Sequence, residues 1–167
     1  MKIFESSMPG IFHLMPQVFR DDRGYFFEAF HAKKFQEVVG NITFCQDNQS
    51  FSKKGVLRGL HFQKPPYEQG KLVRLLIGKV LDIAVDIRRE SAYFGQHYKC
   101  IIDAKEGNML YVPGGFAHGF LALTEVEFFY KCTNFYNKES EGGILWNDEE
   151  LNIDWEFDQH GIETPHL

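Results

Sequence analysis

Residues 71–88 read KLVRLLIGKVLDIAVDIR, two runs rich in Val, Ile and Leu that meet at Gly78-Lys79. β-branched residues fit a pleated strand, and a short connection containing Gly suits a tight hairpin, so the stretch predicts a pair of adjacent antiparallel strands. In the second run Leu81, Ile83, Val85 and Ile87 share one face, and Val80, Asp82, Ala84, Asp86 and Arg88 share the other. One face is apolar packing; the other sets acids among small residues. Similar short runs recur along the chain with turn residues between them, and no repeat, low-complexity tract or linker divides it. The segment HAKKFQEVVG at residues 31–40 is the one that reads as a helix, stopped by Gly40. The fold class is mostly β, a sandwich or barrel with few short helices.

Composition agrees with that reading. A chain of 167 residues matches one domain with one core, and an aromatic fraction of 16%, with 17 Phe, favours strands. A formal charge of -5 argues against a general nucleic-acid binder, which needs basic surface to neutralise phosphates. No run approaches the roughly 18 apolar residues of a membrane span. The expectation is a cytoplasmic protein with no membrane partner. Cys45, Cys100 and Cys132 lack the spacing of a zinc or redox site and read as reduced, packed thiols.

Two strings carry candidate chemistry. GVLRGLHFQ, residues 55–63, brings together a cation, an imidazole and an amide. Strict alternation puts His61 and Gln63 on one face and Arg58 on the other, unless Gly59 marks a bulge. YVPGGFAHGF, residues 111–120, turns at Pro113 and its Gly pair and delivers His118 into an apolar strand, where Asp82 or Asp86 could be its partner. In EFFYKCTNFY, residues 127–136, unbroken alternation places Phe128, Tyr130, Cys132, Asn134 and Tyr136 on a single face.

The spacing of Gly107, Pro113, Gly115 and His118 resembles the second cupin motif, and Gly55 with His61 a degenerate first one. Cupins are double-stranded β-helices of jelly-roll form, many of which bind a metal through two neighbouring His, a Glu and a distal His. Here the second neighbouring position is Gln63, a poor ligand for soft divalent metals, so no metal site is expected.

A narrower resemblance covers nearly the whole chain. The strings RDDRGYFFEAF, CQDNQS, KKGVLRGLHFQ, QGKLVR, VLDIAVDIR, VPGGFAHGF, YKCTNFY and EGGILWNDEEL, in that order, resemble the dTDP-4-dehydrorhamnose 3,5-epimerases, metal-independent cupins that act on a dTDP-4-keto-6-deoxyhexose. The resemblance implies one cupin-like domain over residues 1–167, with His61 as general base and Tyr136 as acid. It sets Lys71, Arg58, Gln63, Asp82, His118 and Tyr130 around the sugar. Arg23, Phe26, Glu28, Gln46 and Asn48 fall to the nucleotide, some of them reaching it from the partner of a strand-exchanged homodimer. The family's Ser-x-Lys-Asp string, whose Asp orients the base, has no counterpart before Leu167; either the chain stops short of it or Asp158 or another acid takes its place.

These residue types suit the chemistry. Removing a proton beside a ketone needs a base near neutrality, a charge at the enolate oxygen and an acid on the opposite ring face. A neutral His61, the Lys71 ammonium and the Tyr136 phenol meet those needs with no redox or metal cofactor. A 3-epimerase, a 3,4-ketoisomerase, a non-catalytic sugar-nucleotide-binding cupin and a metal-dependent cupin are the competing readings. The opposite-face donor favours an epimerase.

Overall fold

The computed structural model describes residues 1–167. In chain order the strands are β1 (Lys2–Glu5), β2 (Phe12–Met15), β3 (Phe19–Asp21), β4 (Gly24–Phe26), β5 (Gln46–Ser52), β6 (Leu57–Gln63) and β7 (Lys71–Ile77). They continue as β8 (Lys79–Asp86), β9 (His97–Asp103), β10 (Met109–Val112), β11 (Phe116–Ala122), β12 (Val126–Cys132) and β13 (Glu141–Gly143). A six-stranded sheet runs β1-β2-β10-β7-β12-β5 and a five-stranded sheet runs β13-β6-β11-β8-β9. β3 and β4 form a separate two-stranded hairpin. The fold is the mostly β, cupin-type jelly roll expected.

The 71–88 stretch does not fold as a hairpin. β7 pairs with β10 and β12 in the six-stranded sheet, whereas β8 pairs with β11 and β9 in the other. Gly78 turns this corner with φ +89, and a Cβ there would collide with the carbonyl of Glu125. Both the positive φ and the close backbone approach require glycine. The corner carries the chain from one wall of the sandwich to the other.

Alternation along β8 then divides its side chains as the sequence implies. Val80 and Ala84 join Val73, Phe116, Phe120 and Phe128 between the two sheets. Leu81, Ile83 and Val85 pack on the far face beneath Trp155 and Ile162 of the C-terminal segment. Both faces are therefore covered. Asp82 and Asp86, at 0% exposure, are buried in the sheet with them.

The helix α1 (Ala32–Val39) closes the outer face of the six-stranded sheet. Its N-cap is His31, whose ring accepts from the Lys34 amide, and Gly40 ends it with φ +113. Phe35 is fully buried among Leu14, Leu72, Met109 and Tyr111, a burial worth about 2–3 kcal/mol. The helix lies away from the space between the two sheets, which side chains of both line.

Candidate active site

That space is a cavity of about 510 Å³ lined from both sheets. The five-stranded sheet contributes Arg58, His61 and His118; the six-stranded sheet contributes Ser50, Lys71 and Tyr130. Phe120 and Phe128 add apolar surface, their rings stacked at 4.3 Å.

A bulge brings Arg58 and His61 to the same side. In the β6–β11 pairing His61 faces His118 and Arg58 faces Phe120, so Gly59 and Leu60 together oppose Gly119 alone. The extra residue breaks the alternation, as the Gly59 reading allowed. Gly59 has φ +136, and a Cβ on it would lie 2.5 Å from the Gly119 Cα. Arg58 is steadied by donating from Nε to Ser52 Oγ at 3.0 Å. Gln63, on the same strand, is buried outside the cavity lining. Its amide donates to the Phe135 carbonyl and accepts from the Asn137 N–H at 2.7 Å, which ties the chain after β12 to β6.

His118 takes Asp82 as its partner, Nε2 to Oδ1 at 2.8 Å, on adjacent strands. Asp86 is committed elsewhere, accepting from Arg88 and Ser91. The second oxygen of Asp82, Oδ2, is buried without a hydrogen-bond partner. Lys71 opens β7 opposite Cys132, with Nζ 5.8 Å above the Tyr130 ring. No group of three or more His, Cys, Asp or Glu side chains comes together in a metal-holding cluster.

The electrostatics follow from burial and mutual charge. Burial holds the His61 pKa below the ordinary imidazole value, and the Lys71 charge adds to that push; Glu141 opposes it. Burial also lowers the Lys71 pKa, against the pull of Cys132, Asp82 and Glu141. Burial raises the Tyr130 pKa, so its phenol keeps its proton at neutrality.

The two tyrosines part company. Tyr130 stays in β12 and lines the cavity, but β12 ends at Cys132 and the chain then turns away. Tyr136 is 54% exposed, outside the cavity lining, and donates its hydroxyl to Glu141 Oε2 at 2.8 Å. The alternation through Tyr136 fails because the strand is two turns of the pleat too short. Asp158 sits in a C-terminal 3-10 turn and is likewise absent from the lining.

Gln46 and Asn48 continue the inward face of β5 beyond Ser50. Asn48 stands opposite Tyr130, and Gln46 accepts from the Tyr136 amide at 3.0 Å. Arg23, Phe26 and Glu28 are not brought to this cavity. Arg23 pairs with Asp21 on the β3–β4 hairpin, Phe26 is 70% exposed on it, and Glu28 pairs with Lys34. Ser50, Phe120, Ile144, Leu145 and Trp146 line the cavity without having been singled out, and Phe128 joins them on the face it was expected to share with Tyr130. Alternation along QDNQS and EFFYKC carried the signal for Ser50 and Phe128; nothing in GILWND beyond its place in the family strings pointed inward.

Comparison with known proteins fits this arrangement. The chain is 51% identical over 161 residues to a dTDP-4-dehydrorhamnose 3,5-epimerase of Salmonella typhimurium, covering 95% of this chain and 88% of that one. A crystal structure of a dTDP-6-deoxy-D-glucose-3,5-epimerase from Legionella pneumophila, in complex with dTDP-4-keto-L-rhamnose, superposes with a TM-score of 0.88 at 44% identity, covering 92% and 82% of the two chains. ChmJ, a 3'-monoepimerase from Streptomyces bikiniensis, superposes at 0.89 with 29% identity, covering 96% and 80%. It was crystallised with dTDP as a double mutant, one His replaced by Asn and one Tyr by Phe. Those two positions are 70 residues apart, against 69 for His61 and Tyr130 and 75 for His61 and Tyr136. With the family model for dTDP-4-dehydrorhamnose 3,5-epimerase matching residues 5–166, a jelly roll that holds these side chains between its sheets belongs to the dTDP-4-dehydrorhamnose 3,5-epimerase family.

Proposed function

We propose that the chain inverts carbons 3 and 5 of a dTDP-4-keto-6-deoxyhexose, in the manner of the epimerases it resembles, with His61 as base, Lys71 at the enolate oxygen and Tyr130 as acid. The observation that carries this reading is the position of His61 and Tyr130 on opposite sheets, with the cavity between them. Inversion requires a proton to leave one ring face and another to arrive on the other, and two facing walls meet that need.

Carbons 3 and 5 both flank the ketone at carbon 4, so one cation serves both enolates. His61, with its pKa lowered, is neutral at pH 7 and takes the carbon's proton. The Lys71 ammonium stabilises the oxyanion, a type of contact whose loss typically costs about 3–4 kcal/mol of barrier. Tyr130 returns a proton to the other face; exchange with solvent resets both groups. The His–Tyr spacing replaced in ChmJ supports Tyr130 over Tyr136 as the acid. Tyr136, bonded through its amide to Gln46, then belongs to the nucleotide end of the site.

In this reading a second copy of the chain supplies Arg23, Phe26 and Glu28 to the nucleotide. The place of Arg23 and Phe26 on an exposed hairpin away from the cavity supports it, with Glu28 just beyond that hairpin, as do the exposed rings of Phe19 and Tyr25. No helix is long and apolar enough to cross a membrane. The test is incubation with dTDP-4-keto-6-deoxyglucose in deuterated water. Deuterium at carbons 3 and 5 of an inverted product is expected. Deuterium at carbon 3 alone would reduce the activity to a 3-epimerase, and a shifted carbonyl would replace it with a ketoisomerase.

A further inference from the structure

Leu145 is 72% exposed and yet lines the cavity. The backbone around it is fixed. β13 pairs with β6 so that Gly143 stands opposite His61, and Leu60 and Ile144 exchange both backbone hydrogen bonds, at 3.2 and 2.9 Å. Ile144 and Trp146 then pack into the cluster beneath the C-terminal segment. The Trp146 ring lies against Phe157 at 5.8 Å, and its carbonyl accepts from Trp155 Nε1 at 2.8 Å. Leu145 belongs to none of the core clusters. A large apolar side chain is thus held at the cavity on a rigid segment, next to the base, with no packing partner of its own in the core.

The substrate class of the proposed function has one carbon that fits such a surface. Every other exocyclic position of a 4-keto-6-deoxyhexose carries oxygen, while carbon 6 is a methyl. The polar wall groups Arg58, His61, Lys71, His118 and Tyr130 satisfy the oxygens and cannot favour a methyl over a hydroxymethyl. Inversion at carbon 5 also carries carbon 6 from one side of the ring to the other. An apolar contact at the open rim accommodates that movement better than a closed slot does. We propose that Leu145 is a specificity-determining residue that receives the carbon 6 methyl and selects 6-deoxy over 6-hydroxy sugars. The proposal rests on the nucleotide-sugar reading above.

The test measures binding of dTDP, dTDP-6-deoxyglucose and dTDP-glucose to the wild-type protein and to Leu145→Ala and Leu145→Ser. An apolar contact rejects an added hydroxyl only modestly, so the wild type should prefer the 6-deoxy ligand by about ten-fold. Both variants should reduce that ratio to about three-fold or less and leave dTDP affinity within about two-fold. Leu145 is exposed, so unchanged melting curves are expected beside each titration. A wild-type ratio near one, or an undiminished ratio in Leu145→Ala, overturns the proposal. Turnover of the 4-keto substrate by the wild type is measured in parallel: discrimination without any epimerisation overturns the enzymatic reading and upholds the methyl contact.

Discussion

Tyr130 on β12 and His61 on β6 face one cavity from different sheets, and Lys71 Nζ lies 5.8 Å from the Tyr130 ring. In the proposed mechanism this relationship separates the two halves of an inversion. Tyr130→Phe should still let His61 remove and return protons on the original face, so deuterium enters recovered substrate. Inverted product should fall by about a hundred- to ten-thousand-fold, the usual effect of a lost general acid. Tyr136→Phe, altering a phenol outside the cavity, should weaken dTDP binding more than inversion. Mass spectrometry of substrate and product over time distinguishes them; loss of inversion in Tyr136→Phe alone would return the acid role to Tyr136.

The pH dependence follows from the direction of the His61 shift. Because its pKa lies below the ordinary 6.5, the His61 ring stays neutral to lower pH than a free imidazole. The acidic limb of kcat/KM should therefore fall below pH 6.5. Lys71 pushes the value down, so Lys71→Ala should raise it; Glu141 pushes it up, so Glu141→Gln should lower it further. NMR titration of the His61 ring reads both without requiring activity. Shifts in the opposite directions would refute the charge arrangement.

How far the sequence discloses this site depends on where strands end and turn. Alternation assigned the faces of β8 correctly, and Gly59 was legible as a bulge because glycine inside a strand has few other uses. Alternation does not state where a strand stops, so Tyr136 was grouped with Tyr130 although β12 ends at Cys132. Gly78 was legible as a turn but not as a corner between sheets, since both use a positive φ. His118 stands opposite Ala84, with Asp82 and Asp86 two residues to either side, and it is the commitment of Asp86 to Arg88 and Ser91 that leaves Asp82 as the partner, a contact that alternation does not report.

The bulge gives a stability prediction tied to the site. In Gly59→Ala the new Cβ meets the Gly119 backbone at 2.5 Å, and φ +136 is strained for any L side chain. Backbone has little room to yield, so a loss of about 3 kcal/mol is expected. Calorimetry should record a lower melting temperature. Where the variant still folds, Arg58 and His61 no longer share the cavity wall, and activity should fall beyond what the unfolded fraction explains. A stable, fully active Gly59→Ala would show that the bulge is not needed.

The placement of Arg23 makes the strongest test of a shared site. Within one chain it pairs with Asp21 on the β3–β4 hairpin and lines a separate cavity of about 310 Å³ with Phe19 and Tyr25. If a second copy delivers it, each complete site contains His61 from one chain and Arg23 from the other. Arg23→Ala and His61→Asn should each be weak or inactive alone. Mixed in equal amounts and allowed to exchange subunits, half of the dimers are hybrids. Each hybrid has one site with both defects and one site with neither. About a quarter of wild-type activity should therefore return, a recovery that follows only from two-fold symmetry and shared sites. Subunit exchange is followed by native mass spectrometry of differently tagged chains, so absent mixing is not mistaken for absent complementation. Hybrids that form without regaining activity would mean that Arg23 acts within its own chain or not at all.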